Sequence, residues 1–347
     1  MADALDRVQV VALGDSAAEL SEGARAAEAA GIEGVWAIEL YRSTFTQATW
    51  LAAKTEEIGI GTGITWAFTR SPFLLAVSAL DIDEMSGGRF RLGLGAGVKR
   101  LNERWHGADY GRPAPHLRET VEATRLIMES ANAGAPIRYE GSYHDIDIKG
   151  WTRPHPAFRD KVPIYVAAVG EGMARMAGDV ADGVLGHLIC SPRWLEDVMI
   201  PNFEKGLSRS GRERSSFDFI PGMCVAIAED DSELEGAYDA ARKTLAFYAT
   251  VRTYAPVFEI DGFGSEAEAV GNAFRAGDLA GVAAAVSDEM VDTYCAVGAI
   301  DQVREKVGRV AGLGDSISLS PPTYFMQPEE IAEYQRRMLE AFGPANL

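Results

Sequence analysis

Residues 89–97 read RFRLGLGAG, an apolar strand that ends with a glycine at every second position, Gly93, Gly95 and Gly97. Two architectures accommodate such a run: the phosphate finger of a dinucleotide-binding sheet, or the top of a strand in a barrel. A dinucleotide finger needs G-x-G-x-x-G opening a helix, normally after the first strand, with an acid about 20 residues further on. Here the third glycine comes one residue early, Val98 holds the place it should occupy, and the run follows the fourth strand-like segment. What the glycines provide is backbone without Cβ, which a flat ring or a phosphate can approach closely. Lys99, Arg100 and Arg104 follow, a local positive patch that also reads as a solvated helix start.

Working outward from this run, apolar β-type segments alternate with helical ones along the chain. Segments 8–13, 34–38, 58–64, 90–94, 163–168, 183–187, 217–227 and 316–320 read as strands. Helical patterns fill 16–30, 46–57, 72–86, 116–133, 172–180, 192–209, 300–311 and 328–342. No compositional break marks a linker, so residues 1–347 read as one domain. Eight β/α units predict an α/β fold with a closed parallel (β/α)₈ TIM barrel; an open dinucleotide-type sheet with a helical cap is the competing reading. Two segments interrupt the pattern and read as insertions: 135–162, with hairpin-like alternation in IRYEGSYHDI, and 231–289, a long helical region of poor periodicity.

The composition narrows the partners. The 347 residues are 47% hydrophobic and carry a formal net charge of −18. Such an acidic chain argues against nucleic acid or an anionic membrane as partner and leaves a small-molecule substrate. Cys190, Cys224 and Cys295 are widely spaced and form no metal pattern, which predicts a reduced, cytoplasmic setting. No metal site is expected. The N-terminal residues lack a basic stretch followed by a long apolar run, and no apolar run of about 18 residues predicts a membrane span.

In a barrel, chemistry sits at the C-terminal ends of the strands. Glu39 ends the second strand, where a carboxylate can orient a ligand ring or simply pair with Arg42. Trp66 follows the third and can wall a flat ligand or fill core. His187 ends the sixth, where it can donate to a ligand, act as acid or base, or serve as a hydrogen-bonded structural residue. Gly170-Glu171-Gly172 after the fifth strand is a second glycine turn into a helix, whose exposed N–H groups suit a phosphate. His106, His116, His144 and His155 cannot be ranked from the sequence.

These segments together resemble the bacterial luciferase-like family of (β/α)₈ flavoproteins, and within it the branch that uses the deazaflavin coenzyme F420. The carriers are GVWAIE (34–39), IGIGTGITWAFTRSP (58–72), LDIDEMSGGRFRLGLGAG (80–97), VPIYVAAVGEGMARMAGDVADGVL (162–185) and PEEIAEY (328–334), in this order over most of the chain. The resemblance implies a non-proline cis peptide in a bulge backing the deazaflavin ring, matched by Gly63-Ile64 with Thr65 beyond it. It implies cofactor contacts from Gly95, Ala96, Gly97 and Asn102, a phosphate turn at Val169, Gly170, Glu171 and Gly172, a ring or phosphate contact from His187, and a headgroup contact from Glu39. Glu39, Trp66 and His187 are the expected catalytic residues. Sugar-phosphate dehydrogenases of this branch carry a histidine and a glutamate where this chain has Leu40 and Val98, so a more hydrophobic substrate is expected. The implied function is hydride transfer between deazaflavin C5 and an alcohol, carbonyl or activated C=C. The alternatives are an FMN-dependent monooxygenase and a non-catalytic flavin- or F420-binding protein. Relatives of this kind are often dimers, so a homodimer is expected.

Overall fold

The computed structural model describes residues 5, 7–159 and 161–343. Eleven strands form the parallel sheet; besides the two-residue Thr65–Trp66, which pairs with Leu94–Gly95, they are β1 (Val8–Val11), β2 (Gly34–Ala37), β3 (Gly59–Thr62), β4 (Phe90–Gly95), β5 (Ile164–Ala167), β6 (Gly183–Leu185), β7 (Asp218–Ile220), β8 (Gly222–Ile227), β9 (Cys295–Gly298) and β10 (Ile317–Ser320). Their order in the sheet is β7-β6-β5-β4-β3-β2-β1-β10-β8-β9. The two arms of this path meet at one residue, because only Pro221 separates β7 from β8. The chain is thus an α/β fold with a curled parallel sheet and helices packed outside it.

Three expectations are corrected. The segment 217–227 is two strands, because proline has no N–H to donate to a ladder. Asp218–Ile220 pairs with β6 and Gly222–Cys224 with β10. The sixth strand stops at Leu185, so His187 lies in the loop beyond it. The stretch 231–289 contains several separate helices, the longest being Leu234–Ala249, and a ladder strand that the apolar pattern did not reveal, Cys295–Gly298, follows it. The hairpin in the earlier insertion is present, pairing Ile137–Glu140 with Asp145–Ile148.

Four helices matter below: α1 (Ala17–Ala29), α2 (Glu171–Val180), α3 (Leu234–Ala249) and α4 (Pro328–Phe342). Ser16 and Glu19 cap α1 reciprocally, which satisfies N–H groups that a helix start otherwise leaves unbonded. Pro328 opens α4 at a position where the missing N–H costs nothing.

Strand alternation splits the apolar residues into two cores. On β4, Phe90, Leu92 and Leu94 point outward and are fully buried under the helices. The inward face holds a separate cluster of Trp36, Tyr165, Leu185 and Ile220, with Ile64 and Ala167 packed on it. Large rings inside a curled sheet need small partners across from them. A Cβ on Gly61 would overlap the Trp36 ring, and one on Gly93 would overlap the Thr62 carbonyl oxygen.

Below this cluster, at the N-terminal ends of the strands, polar groups bond one another. Gln9 Oε1 accepts from Trp36 Nε1 at 2.7 Å and from Arg91 Nη1 at 3.1 Å, and Gln9 Nε2 donates to Ser316 Oγ at 2.8 Å. Arg91 Nη2 donates to Glu33 at 2.7 Å, and Tyr165 OH donates to Asp218 Oδ2 at 2.8 Å. Burial pushes the Glu33 carboxyl up, but hydrogen bonds from Arg7 and Arg91 outweigh it and hold the group below its ordinary value.

Candidate functional site

The C-terminal ends of the strands bring together most of the residues singled out in the sequence. After β3 the chain bulges, and the peptide joining Gly63 and Ile64 is cis. Gly63 N–H donates to Ala37 O at 2.7 Å. A Cβ on Gly95 would overlap Ile64 Cδ1, so Gly95 first of all makes room for the bulge itself. Gly97 has φ +63°, a conformation that favours glycine, and a Cβ there would lie 3.1 Å from both Trp66 Cγ and Asn102 Nδ2. The glycines of RFRLGLGAG therefore admit the chain's own atoms before any ligand.

Glu39 is tied into this bulge. Its Oε2 accepts the Trp66 backbone N–H at 2.7 Å and Arg70 Nη1 at 2.9 Å, while Oε1 pairs with Arg70 Nη2. Its partner is Arg70; Arg42, the pairing considered from the sequence, instead donates to the Asp15 carbonyl. Thr65 is buried and its hydroxyl shares a 2.6 Å hydrogen bond with Thr44. Trp66 is only 6% exposed and meets the His106 ring edge-on at 5.4 Å.

Asn102 is fully buried. Its Nδ2 donates to Ala96 O at 2.9 Å and Val98 O at 3.0 Å, while Oδ1 has no hydrogen-bond partner among the described residues. A buried acceptor left open costs stability, so it marks a place where a donor is wanted. Tyr110 OH bonds Gly97 O at 3.0 Å, fixing the same turn from the other side.

At the start of α2, Gly170 is extended and provides no side-chain cap. The first N–H groups of that helix are left for an external acceptor. A Cβ at Gly170 or at Gly172 would meet nothing within 4 Å, so this turn is open where the β4 glycines are filled. Val169 offers its carbonyl to Trp194 Nε1 at 2.7 Å, and Glu171 is turned toward Arg175 at 3.8 Å.

His187 is covered by rings that sequence reasoning did not place. Tyr248, near the end of α3, meets it edge-on at 4.6 Å, and Tyr254 lies at 4.9 Å. Tyr324, beyond β10, stands 3.5 Å from Tyr248 through their hydroxyls. The signals were present: two tyrosines in FYATVRTY (247–254) and one in PPTYF directly after a strand end. Burial pushes His187 down to about 4, so the ring is neutral at pH 7. Nδ1 accepts the Ile189 N–H at 3.4 Å, which leaves the ring proton on Nε2 as a hydrogen-bond donor. Burial likewise pushes Tyr254 up to about 12, keeping its hydroxyl protonated.

A cleft of about 1480 Å³ is lined by residues of α1 and α4 together with Ile38, Leu40, Phe247 and Tyr324. None of the site residues expected from the sequence lines it.

The curled parallel sheet thus carries an uncapped helix start, a glycine-rich bulge and an aromatic cover at one end, the end where α/β enzymes of this architecture hold their sites. The profile of the luciferase-like monooxygenase family matches residues 4–316, and the chain belongs to that family. Among its relatives is the 5,10-methylenetetrahydromethanopterin reductase of Archaeoglobus fulgidus, 33% identical over 87% of this chain and 90% of that protein. In structure it is similar to the coenzyme F420-dependent tetrahydromethanopterin reductase of Methanopyrus kandleri, with TM-score 0.79, 24% identity, and coverage of 97% of this chain and 96% of that one. It is also similar to the FMN complex of a type II Baeyer–Villiger monooxygenase from Pseudomonas putida, with TM-score 0.65, 19% identity, and coverage of 98% of each chain. At these identities the two structures establish the shared fold.

Proposed function

We propose that this protein is a coenzyme F420-dependent oxidoreductase that transfers a hydride between deazaflavin C5 and a fairly hydrophobic organic substrate, an alcohol/carbonyl pair or an activated C=C. The observation that carries this reading is the open turn at Gly170–Gly172: an uncapped helix start with free space at both glycines, facing the same mouth as the bulge after β3. Its relatedness to the A. fulgidus reductase supports the same reading. The curled sheet reads as a closed (β/α)₈ barrel whose seventh strand is broken at Pro221, in a single domain with insertions at 135–162 and 231–289. A cytoplasmic homodimer completes the reading.

When bound, coenzyme F420 supplies a hydride at C5. The chain's own residues bind and orient. The first N–H groups of α2 hold the phosphate, and buried Asn102 braces the Ala96–Val98 turn beside it through Nδ2. The Gly63–Thr65 bulge backs the ring. Glu39 holds that bulge through the Trp66 N–H and Arg70, with lone pairs on Oε1 left over for a headgroup donor. His187 donates from Nε2 to the substrate oxygen or ring, and its neutral state keeps it from delivering a net proton at pH 7. The rings of Tyr248 and Tyr254 exclude water above it.

Titration of the purified protein with F420 and with FMN, followed by fluorescence, tests the reading. Saturable F420 binding with much weaker FMN binding is the expected result. Tight FMN binding without F420 binding, together with oxygen consumption on reduced FMN, would establish the monooxygenase alternative instead. Cofactor binding with no turnover of alcohols, carbonyls or activated alkenes would favour a non-catalytic binding protein.

A further inference from the structure

The hairpin Ile137–Ile148 supplies none of the site residues described above, yet aromatic and titratable groups fasten it closely to the helix Pro113–Ser130. Glu119 on that helix accepts three consecutive backbone N–H groups of the hairpin tip, from Ser142 at 2.9 Å, Tyr143 at 2.7 Å and His144 at 3.2 Å. The Tyr143 ring stacks on His116 at 4.3 Å, and the other face of His116 stacks on Phe68 at 3.9 Å. His144 Nε2 stands 2.9 Å from Thr120 Oγ1, and the two imidazoles are 5.4 Å apart. Two glycines make room for this arrangement. A Cβ on Gly141 would overlap the Glu119 carboxylate, and one on Gly111 would overlap the Tyr143 ring. We propose that the hairpin is a proton-released latch: it stays docked while His116 and His144 are uncharged and lets go when they take up protons, loosening the ligand mouth through Tyr110. The coupling to the mouth rests on the functional reading above; the latch itself does not.

The placement of protons is the first argument. Thr120 donates its hydroxyl hydrogen to His116 O at 2.9 Å, so toward His144 it can only accept, and His144 Nε2 carries the ring proton. His116 Nδ1 faces the Tyr110 carbonyl at 3.2 Å, so it too is a donor. Nε2 of His116 and Nδ1 of His144 engage no hydrogen-bond partner among the described residues. A second proton on either ring would therefore be a donor without an acceptor, on a buried ring at His116 and a half-buried one at His144. Two charged imidazoles at this separation would also repel each other. Undocking gives both rings water, so proton uptake favours the released hairpin.

The charges around the pair are the second. Burial pushes both histidines down, and at His144 the neighbouring His116 adds to this. Asp109 and Glu119 beside His116, and Glu119 beside His144, oppose the shift without outweighing it. Burial pushes the Glu119 carboxyl up, but its three N–H bonds outweigh that and hold it below its ordinary value. Arg112 meets the tip through its backbone N–H, which donates to Tyr143 OH at 3.0 Å. Glu122 accepts from Tyr139 OH at 2.8 Å, and Arg118 pairs with Glu122 and Asp179. Within this cluster the groups that change charge between pH 7 and 5 are thus the histidines. The faces of Phe68 and Tyr143 favour a charge on His116, so His144 carries the larger share of the response.

Reach to the mouth is the third. Tyr110 holds His116 through its carbonyl and Gly97 O through its hydroxyl, at 3.0 Å. Phe68, stacked on His116, meets Tyr110 edge-on at 5.3 Å and lies two residues beyond Trp66. The rings that hold the hairpin therefore also hold the Gly97 turn and the chain leaving the bulge.

Hydrogen exchange read by mass spectrometry tests the latch on the full chain between pH 7.5 and 5. Rates are corrected for intrinsic exchange and referred to strand β4, so that a global loss of stability cancels. Protection of residues 141–148 should fall by about ten- to a hundredfold per pH unit below pH 6, the uptake of one to two protons. His144→Gln keeps a donor toward Thr120 but cannot titrate, and should remove about tenfold of that dependence per unit. His116→Asn/His144→Gln, checked for folding by circular dichroism, should show none of it. F420 affinity, read by fluorescence, should fall more steeply with acid in the parent than in the double variant. Protection that stays level from pH 7.5 to 5, or that is as steep in His144→Gln as in the parent, would overturn the latch. Hairpin release with the same acid dependence of F420 affinity in parent and double variant would overturn its coupling to the mouth. If protection follows pH as expected while F420 fails to bind at any pH, the cofactor reading falls and the latch stands.

Discussion

The two ends of the parallel strands are built differently. At the N-terminal end Gln9, Glu33, Arg91 and Ser316 hydrogen-bond one another and Tyr165 bonds Asp218 Oδ2, while Asp218 Oδ1 is buried without a partner among the described residues. At the C-terminal end polar groups are left for something else: α2 starts uncapped, and His187 is neutral under two tyrosines. Between them lies the Trp36–Tyr165–Leu185–Ile220 cluster, which closes the interior to water. Polar groups that satisfy one another rigidify a fold, and polar groups held open but oriented are ready for a ligand. The same contrast divides the glycines, because those of β4 are filled by protein atoms while Gly170 and Gly172 at the start of α2 face open space.

This contrast can be broken by substitution. Gly93→Ala should have the largest effect. Its methyl would overlap the Thr62 carbonyl, and Thr62 is fixed by hydrogen bonds of 2.8 and 2.9 Å to Gly93 itself. Denaturant unfolding should show a loss of about 3 kcal/mol. Arg91→Met should cost about 2–3 kcal/mol in the same assay, because it strips hydrogen bonds from buried Gln9 and from Glu33. Its F420 affinity should remain that of the parent, and a selective loss of affinity would refute the division of labour between the two ends. Gly172→Val should invert that pattern. Stability should change by about 0.5 kcal/mol or less, the usual range for a side chain placed in open space. F420 affinity, read by fluorescence, should nonetheless fall about tenfold as the side chain intrudes on the phosphate.

The smallest effect is a pH dependence. His187 has its ordinary value of 6.5 pushed down to about 4 by burial. Below pH 6.5 the unfolded chain binds a proton at this residue that the folded chain refuses until about pH 4. Stability therefore declines as pH falls through that window and is unaffected by this group above it. A His187→Asn variant should show a shallower decline in melting temperature between pH 6.5 and 4. An unchanged slope would mean that His187 is not held neutral.

Much of the fold was legible because strand and helix periods are local properties. The last helix, 328–342, was read to the residue, since Pro328 marks its first turn and an amphipathic stripe carries it to Phe342. Pro221 was the miss: an apolar run hides a break that depends on which neighbour each half pairs with. In the candidate site, Glu39 and His187 were visible as polar residues ending apolar runs. Arg70, Tyr248, Tyr254 and Tyr324 were not, because their importance lies in contacts with residues 31 to 76 positions away in the chain.

By itself the sequence determined the alternation of strands and helices, and with it the end of the sheet where chemistry belongs. It also determined the family, through motifs whose order a single chain displays. The tertiary structure decided what the glycines of RFRLGLGAG accommodate, which residue Glu39 pairs with, and which rings cover His187. Those are properties of space between distant segments. Local propensity sets which segments form, whereas packing and unsatisfied hydrogen bonds set what is left open between them.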